Sequence, residues 1–399
     1  MRDFDKLWAG QAISALGSHF TGTGLPLTAI LVLGAGPVEM GVLAAASGLG
    51  VLLVAPVAGV WVDRLRRGPI MIGADLGRAA ILLSIPVLAL AGALRIEHVY
   101  LVAFGAALLG TFFDVAYRSF LPALVGREEL AAANGRLAMS ANVAEVGGPG
   151  LAGALVQALT APVALVIDAA SFVVSAVSVA LIRSREPGSH DAVDRGSVLA
   201  EIGEGARVAI RLPVLRALLG AGLVFSFFGS MVGALYGLYG IRELGLSPFA
   251  VGALVSLGGL SAIPGSLVAG SVARRFGLGR ATGGSLFCYG CVGLLIPLAS
   301  GPTLVAFGFL AAQQLLGDWL VSIHLVGEVS LRQLVAPAAL LGRVNATAHF
   351  LVLGVGPLGA ILAGRLALDL GIRAALLVGV CGVIAAGAWL LLSPTREVR

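Results

Sequence analysis

Glu145, Asp168 and Asp318 lie inside long apolar runs with no opposite charge three or four residues away. A charge at the centre of a bilayer costs at least about 2.5–3.5 kcal/mol on insertion scales, so each needs a partner, a cavity or a proton. A carboxyl taken out of water holds its proton more readily, which suits a group that loads and releases one in every cycle. These three are candidate proton carriers, Asp168 standing nearest the end of its run. His19, near the middle of the first run, joins them. An imidazole ordinarily titrates at about 6.5 and can pass a proton or donate a hydrogen bond to a substrate; a histidine that only packs is the alternative.

Other intramembrane acids have an arginine within helical reach: Asp75 and Arg78, Asp114 and Arg118, Glu328 and Arg332, Arg365 and Asp369. A neutralised pair near a membrane face explains these as well as a transport role does, and Asp114 is kept as a further proton candidate. Gln11, Asn142, Gln313, Gln314 and Trp319 are candidate polar and aromatic lining for a substrate cavity, with Phe225, Phe228, Tyr236 and Tyr239 as an aromatic wall. Packing or lipid contact is the commoner use of such aromatics. Cys288-x-x-Cys291 has redox spacing but lacks polar or basic flanks to activate a thiolate, and Cys381 stands alone. No metal site or cofactor is expected. No nucleophile with an oriented base or metal cluster is spaced for catalysis, so an enzyme is not expected either.

The elements that must hold these residues are membrane helices. Only 12% of the 399 residues are charged and 58% are hydrophobic, against about 25% charged in a soluble domain. The net charge of +5 comes from short basic clusters between apolar runs, a pattern of membrane topology and not of nucleic-acid binding. Apolar runs near 8–34, 38–62, 69–94, 98–121, 136–159 and 162–182 predict six helices, and runs near 214–240, 249–273, 281–300, 303–328, 343–368 and 372–393 predict six more. The expected fold is an all-α integral membrane protein of twelve transmembrane helices in two pseudo-symmetric halves, 1–182 and 214–399. Between them, 183–213 reads as a cytoplasmic linker in which Leu199, Ile202, Ala206 and Ile210 recur at helical spacing, as in a short interfacial helix. Arginine clusters at 64–67, 118–136 and 274–280 fall in alternate connections, which places both termini in the cytoplasm.

The halves repeat. An offset of 211 places Pro37 on Pro248, Gly41 on Gly252, Gly48 on Gly259, Gly59 on Gly270 and Arg64 on Arg275. An offset of 203 superposes Leu101–Gly105 on Leu304–Gly308, and one of 207 superposes Gly135-Arg136 on Gly342-Arg343. Two six-helix halves of this kind imply a binding site near the bilayer midplane.

Gly59-Val-Trp-Val-Asp63-Arg64-Leu-Arg66-Arg67 resembles the loop signature of the major facilitator superfamily. The resemblance implies that Gly59 permits close helix approach. It also implies that the Asp63 carboxylate meets the positive end of the eleventh helix and holds the cytoplasmic side shut, with Arg64 and Arg67 as further gating residues of the same loop. The second-half echo, Gly270-Ser-Val-Ala-Arg274-Arg275, lacks the aspartate. Gly148-Pro149-Gly150-Leu-Ala-Gly153 resembles the Gly-Pro motif of drug–proton antiporters in the same superfamily, and Gly356-Pro357-Leu-Gly359 repeats it. Such a segment can bend and pack tightly against a neighbour. The opening Phe4-x-x-Leu7-Trp8-x-Gly10-Gln11-x-x-Ser14-x-Leu16-Gly17-Ser18 is similar to the branch containing macrolide efflux pumps and enterobactin exporters. One departure is the absence of the arginine motif of many drug exporters from the fourth run, Leu101–Gly110.

The resemblance implies a secondary transporter in a bacterial inner membrane. It would work as a monomer, taking a small-molecule substrate and using the proton gradient as its energy source. The expected activity is proton-coupled export of an amphipathic drug, siderophore or secondary metabolite by alternating access. Uptake or facilitated diffusion of a polar nutrient on the same fold is the alternative. Sparse charge and an aromatic lining favour export, since a nutrient site gathers several charged or amide groups around one small pocket.

Overall fold

The computed structural model describes residues 3–183 and 198–398, with the side chains of residues 55–60, 63, 64, 127 and 198–202 outside the described set. Thirteen α-helices run through it: α1 Asp3–Leu31, α2 Pro37–Arg64, α3 Arg67–Leu90, α4 Ile96–Ala158, α5 Ala161–Ala180, α6 Val198–Arg211, α7 Pro213–Arg242, α8 Pro248–Phe276, α9 Leu278–Gly293, α10 Leu295–Leu298, α11 Thr303–Val335, α12 Leu341–Leu370 and α13 Ile372–Leu392. No strand occurs among the described residues. Gly59, Asp63 and Arg64 fall on α2, but as latch residues they lie outside what is described, and residues 184–197 of the linker do so entirely.

Proline and glycine set several boundaries. Prolines open α2, α7 and α8, where a missing N–H costs nothing and the fixed φ suits a first turn. The runs expected at 98–121 and 136–159 are the two arms of α4, which part at Gly126, where φ 74° and ψ 171° are not helical. Positive φ is a conformation that glycine adopts without a Cβ penalty. The run expected at 281–300 divides into α9 and α10. The ring of Pro297 would clash with the carbonyl four residues earlier, which belongs to Gly293, the last residue of α9.

Ten segments are long and apolar enough to cross a membrane among the described residues. Against the expected twelve, α1 and the 127–158 part of α4 are of spanning length but do not meet that measure. They carry Gln11, His19, Asn142 and Glu145 among many glycines and serines, which lowers their hydropathy; α1 packs within its unit, whereas most of 128–145 is exposed.

Packing groups the chain into two compact units. Unit 1 comprises residues 1–35, 46–195 and 247–256, and unit 2 comprises residues 36–45, 196–246 and 257–399. They differ from the expected halves by two short segments: the start of α2 packs within unit 2 and the start of α8 within unit 1. In unit 1, α1 lies on α4 and α5, and α3 on the same two helices, around a core that includes Leu7, Val62, Met71, Phe113, Ala116 and Val179. In unit 2, α7 lies on α12 and α13, and α9 on α11 and α13, around Leu215, Leu218, Leu286, Leu331, Val383 and Leu390.

The linker helix α6 docks on α12. Arg343 pairs with Glu204 at 2.5 Å, and Gly205 fits against Arg343 and Thr347. Its buried face runs through Gly205 and Ala209, whereas Ile210 is 56% exposed. The inward stripe is therefore displaced by one residue from the one expected through Ala206 and Ile210, because glycine and alanine allow the closest approach to α12.

Candidate functional site

In unit 1 the polar residues of four helices converge on Arg78. Its guanidinium, on α3, forms an ion pair with Asp75 one turn earlier, and Asp75 is fully buried. The planar cation lies 4.0 Å from the Phe172 ring centroid on α5 and 4.9 Å from that of Phe113 on α4, a geometry in which the aromatic faces stabilise positive charge. Asp168, on α5, is also fully buried. It accepts hydrogen bonds from Thr21 of α1 and, at 3.0 Å, from Ser171, and stands within electrostatic reach of Arg78. Asp114, exposed on α4, feels both Arg78 and Arg118. Gln11 donates to Ser175 at 3.1 Å, and Ser175 stands beside Asp75.

Asp75 and Arg78 pair in the interior of the unit. Asp168 has no opposite charge along its own helix, and its hydroxyl donors stand on that helix and a neighbouring one. Spacing of three or four residues finds partners only along one helix, and Thr21 and Arg78 come from others. Breaking such a buried pair by removing one partner typically costs about 3–5 kcal/mol, because an uncompensated charge remains.

His19 and Glu145, singled out separately, meet in the same unit. The His19 ring rests against Gly148, where a Cβ would come within 2.6 Å of it, and Glu145 is its electrostatic neighbour. Glu145 itself is exposed, as is Asn142 one turn earlier, so the expectation of a buried carboxylate is corrected. The helix turns Glu145 outward while the adjacent Ala144 takes the buried face.

A second polar seam runs through unit 2. The Asp318 carboxylate sits against Gly258, and its charge reaches Tyr236 of α7 and Tyr289 of α9. The Tyr236 hydroxyl is buried with no hydrogen-bond partner among the described residues, as is Oε1 of the buried Gln313. Gln314 is buried too, its backbone carbonyl accepting from the Ser261 hydroxyl at 3.0 Å. Phe225 stands edge-on to Tyr289 and His324, each at 6.0 Å. His324 is buried, with Nδ1 3.0 Å from the Thr282 carbonyl and Nε2 4.0 Å from Glu328, which pairs with Arg332.

The aromatic wall is only partly assembled. Tyr239 is fully buried and donates to the Ala299 carbonyl at 2.9 Å, and the Phe228 ring packs into the space left by Gly382 on α13. Both are packing residues, which corrects their assignment to a cavity wall. Helical periodicity is the reason: residues 225 and 236 project toward α9 and α11, whereas 228 and 239 turn toward the core. Trp319 is 37% exposed and leans on Gly265.

The Gly-Pro segments make backbone-level interlocks. In unit 1, Gly153 lies against the Pro248 carbonyl and Gly252 against the Pro149 carbonyl. Gly150 N–H donates to Ser256 at 2.9 Å, and Phe249 N–H to Gln157 at 3.2 Å. Unit 2 repeats the arrangement. A Cβ on Gly364 would fall 2.7 Å from the Pro37 carbonyl, and one on Gly41 would fall 2.5 Å from the Ala360 carbonyl. The offset of 211 that relates Pro37 to Pro248 and Gly41 to Gly252 also relates Gly148 to Gly359 and Gly153 to Gly364. The structural counterparts of Gly148 and Gly153 are thus Gly359 and Gly364, a signal present in the repeat but hidden behind the more conspicuous Gly356-Pro357. Gly356 meets Ser230, and Gly359 meets the Phe227 backbone. Arg67 opens α3.

Sequence reasoning passed over Arg78 as a shared cation and missed Tyr289 and His324. The ladder His324, Glu328, Arg332 at intervals of four on α11 was the available signal for the histidine.

Comparison with known proteins gives these sites a context. The Major Facilitator Superfamily profile matches residues 7–357. The chain is 31% identical over 361 residues to the multidrug efflux pump Tap of Mycolicibacterium fortuitum, covering 85% of this chain and 83% of that protein. It is 28% identical over 277 residues to macrolide efflux protein A of Streptococcus pyogenes, covering 69% of this chain and 66% of that one. Among solved structures, an inward-facing bacterial homologue of the iron transporter ferroportin shares the fold with a TM-score of 0.79 at 19% identity, over 98% of both chains. The nucleoside transporter NupG does so with 0.73 at 13%, again over 98% of both. A multi-pass helical chain matched by this profile over most of its length, and by Tap at this identity, is a membrane transporter and belongs to the major facilitator superfamily.

Proposed function

We propose that the protein exports amphipathic small molecules in exchange for protons, by alternating access in a bacterial inner membrane with both termini cytoplasmic. What carries the reading is the likeness over 85% of the chain to a protein named for multidrug efflux, supported by the likeness to a macrolide efflux protein. The candidate lining is mostly aromatic and amide: Phe225, Tyr236, Gln313, Gln314 and Trp319 in unit 2, and Gln11, His19 and Asn142 in unit 1. Such a surface suits a large substrate with scattered polar groups. Glu145, Asp114, Asp168, Asp318 and His19 are the proposed proton-linked groups. Gly148, Pro149, Gly153, Gly356 and Pro357 shape the seams that must open and close, with Gly59, Asp63, Arg64 and Arg67 as the cytoplasmic latch.

Uptake of a polar nutrient is the second reading, favoured by the two amides and the carboxylate clustered at Gln313, Gln314 and Asp318. Proteoliposomes with an imposed pH gradient decide between them. Erythromycin, ethidium and a catechol siderophore should move up their gradients against proton flow. Gradient-independent or proton-symported movement of a polar solute such as a nucleoside, with none of the three exported, would replace export with uptake.

A further inference from the structure

Two carboxylates and one guanidinium are enclosed together in unit 1. Asp75 and Asp168 are both fully buried, on α3 and α5, and Arg78 is the cation between them. If both acids were ionised, the interior would hold a net negative charge with no water to screen it. One added proton makes the group neutral. We propose that Asp75 and Asp168 together hold one proton, carried by Asp168 while Asp75 pairs with Arg78, the cation whose charge reaches both, and that this proton is the one exchanged against substrate. The proposal rests on the proton-coupled reading above and assigns its proton site.

The surroundings of each group fit that role. Arg78 lies over the Phe113 and Phe172 rings, contacts that favour a cation without using its N–H donors. Its Nε and the Asp75 Oδ2 are buried with no hydrogen-bond partner among the described residues. The ion pair therefore leaves one donor and one acceptor unused. Asp168 is cradled by the hydroxyls of Thr21 and Ser171. A hydroxyl both donates and accepts, so it serves an ionised or a protonated carboxyl by rotating its hydrogen.

The titratable and charged groups facing this centre are Asp75 and Arg78 from α3, Asp168 from α5, and Asp114 from α4, with Arg118 and Tyr117 beside Asp114. From α1 come Thr21 and, beyond Ser175, Gln11. His19 instead has Glu145 as its charged neighbour. Asp114 is the exposed member. In the forward cycle a proton from the outer solution adds to the Asp168 carboxylate while Arg78 pairs with Asp75. Loss of that proton to the cytoplasmic side leaves two carboxylates, and the guanidinium draws toward both. One proton enters, one leaves, and no electrons move.

Infrared titration of the full chain in detergent tests the shared proton without a substrate. The C=O stretch of a protonated carboxyl should persist near neutral pH in the wild type and in Glu97→Gln, a variant of an exposed carboxylate outside the centre, and disappear in Asp168→Asn. Persistence of the band in both Asp168→Asn and Asp75→Asn overturns the sharing. In proteoliposomes, erythromycin-driven proton movement should fall by about tenfold or more in Asp168→Asn, while counterflow of labelled erythromycin stays within about twofold of wild type. Arg78→Lys, which keeps the charge, should retain coupling that Arg78→Gln loses. The double variant Asp75→Asn/Arg78→Gln should recover the folded yield of Arg78→Gln but not coupling. Wild-type export with no proton movement would overturn the proton-coupled reading together with this one. A coupled wild type matched by an equally coupled Asp168→Asn overturns only the assignment of the proton to this centre.

Discussion

A methyl group added at Gly148 would come within 2.6 Å of the Cβ and ring of His19, whereas one added at the adjacent Gly147 meets nothing within 4 Å. The two substitutions should act in opposite directions. Gly148→Ala forces α1 away from α4 and should destabilise by about 1–3 kcal/mol, the usual cost of overfilling a packed contact. Gly147→Ala removes backbone freedom from the unfolded helix and should stabilise by about 0.5–1 kcal/mol. Thermal unfolding of the detergent-solubilised variants reads both, and His19→Ala in the Gly148→Ala background should recover part of the loss. Equal effects of the two glycines would mean that His19 does not pack where it is placed. At this scale residue type was legible and environment was not. His19, Asp168 and Asp318 stand out because charge or an imidazole in an apolar run is costly. Nothing in the order of residues reveals that Thr21 would reach Asp168, that Arg78 would serve more than one acid, or that Tyr239 would satisfy its hydroxyl on the Ala299 carbonyl. Those partners lie on other helices, fixed by rotations about helix axes that a periodic pattern constrains only loosely.

Helix extents followed closely from apolar runs and proline positions, because a membrane span is bounded by length and by backbone donors that must be satisfied. The exception was local: Pro297 divides one expected run, whereas the non-helical Gly126 separates the two expected runs of α4. The glycine interlocks operate at this scale, since each places a helix against the backbone of its neighbour. A side chain in the way can rotate, but a carbonyl cannot. Gly252→Ala and Gly41→Ala, which put a Cβ on the Pro149 and Ala360 carbonyls, should therefore each cost about 1–3 kcal/mol and slow transport alike, as equivalent positions of a repeat. Gly135→Ala, with open space around it, is the matched control. Transport rates in whole cells, normalised to membrane yield, check this. Loss at one position with none at the other would break the equivalence of the two seams.

The repeat at an offset of 211 residues extends from sequence into contact, since Pro37, Gly41 and Gly364 in unit 2 reproduce the roles of Pro248, Gly252 and Gly153 in unit 1. Arginine clusters in alternate connections are the ground for proposing that both termini are cytoplasmic. A reporter active only outside the cytoplasm, fused after Arg399, should stay silent, and activity there would invert the topology. Asp63→Asn should leave membrane yield near wild type while raising labelling of engineered cysteines from the cytoplasmic side; unchanged labelling would end its role as a latch. The uneven hydropathy of the segments bears on how the chain is made. A helix as polar as α1 partitions poorly into lipid by itself, and one of its main packing partners, α5, lies more than a hundred residues further along. During synthesis α1 must therefore wait at the insertion machinery, sheltered by protein until α5 emerges to take it. Arresting translation before α5 should leave α1 extractable by alkaline wash, and arresting it after α5 should leave it embedded.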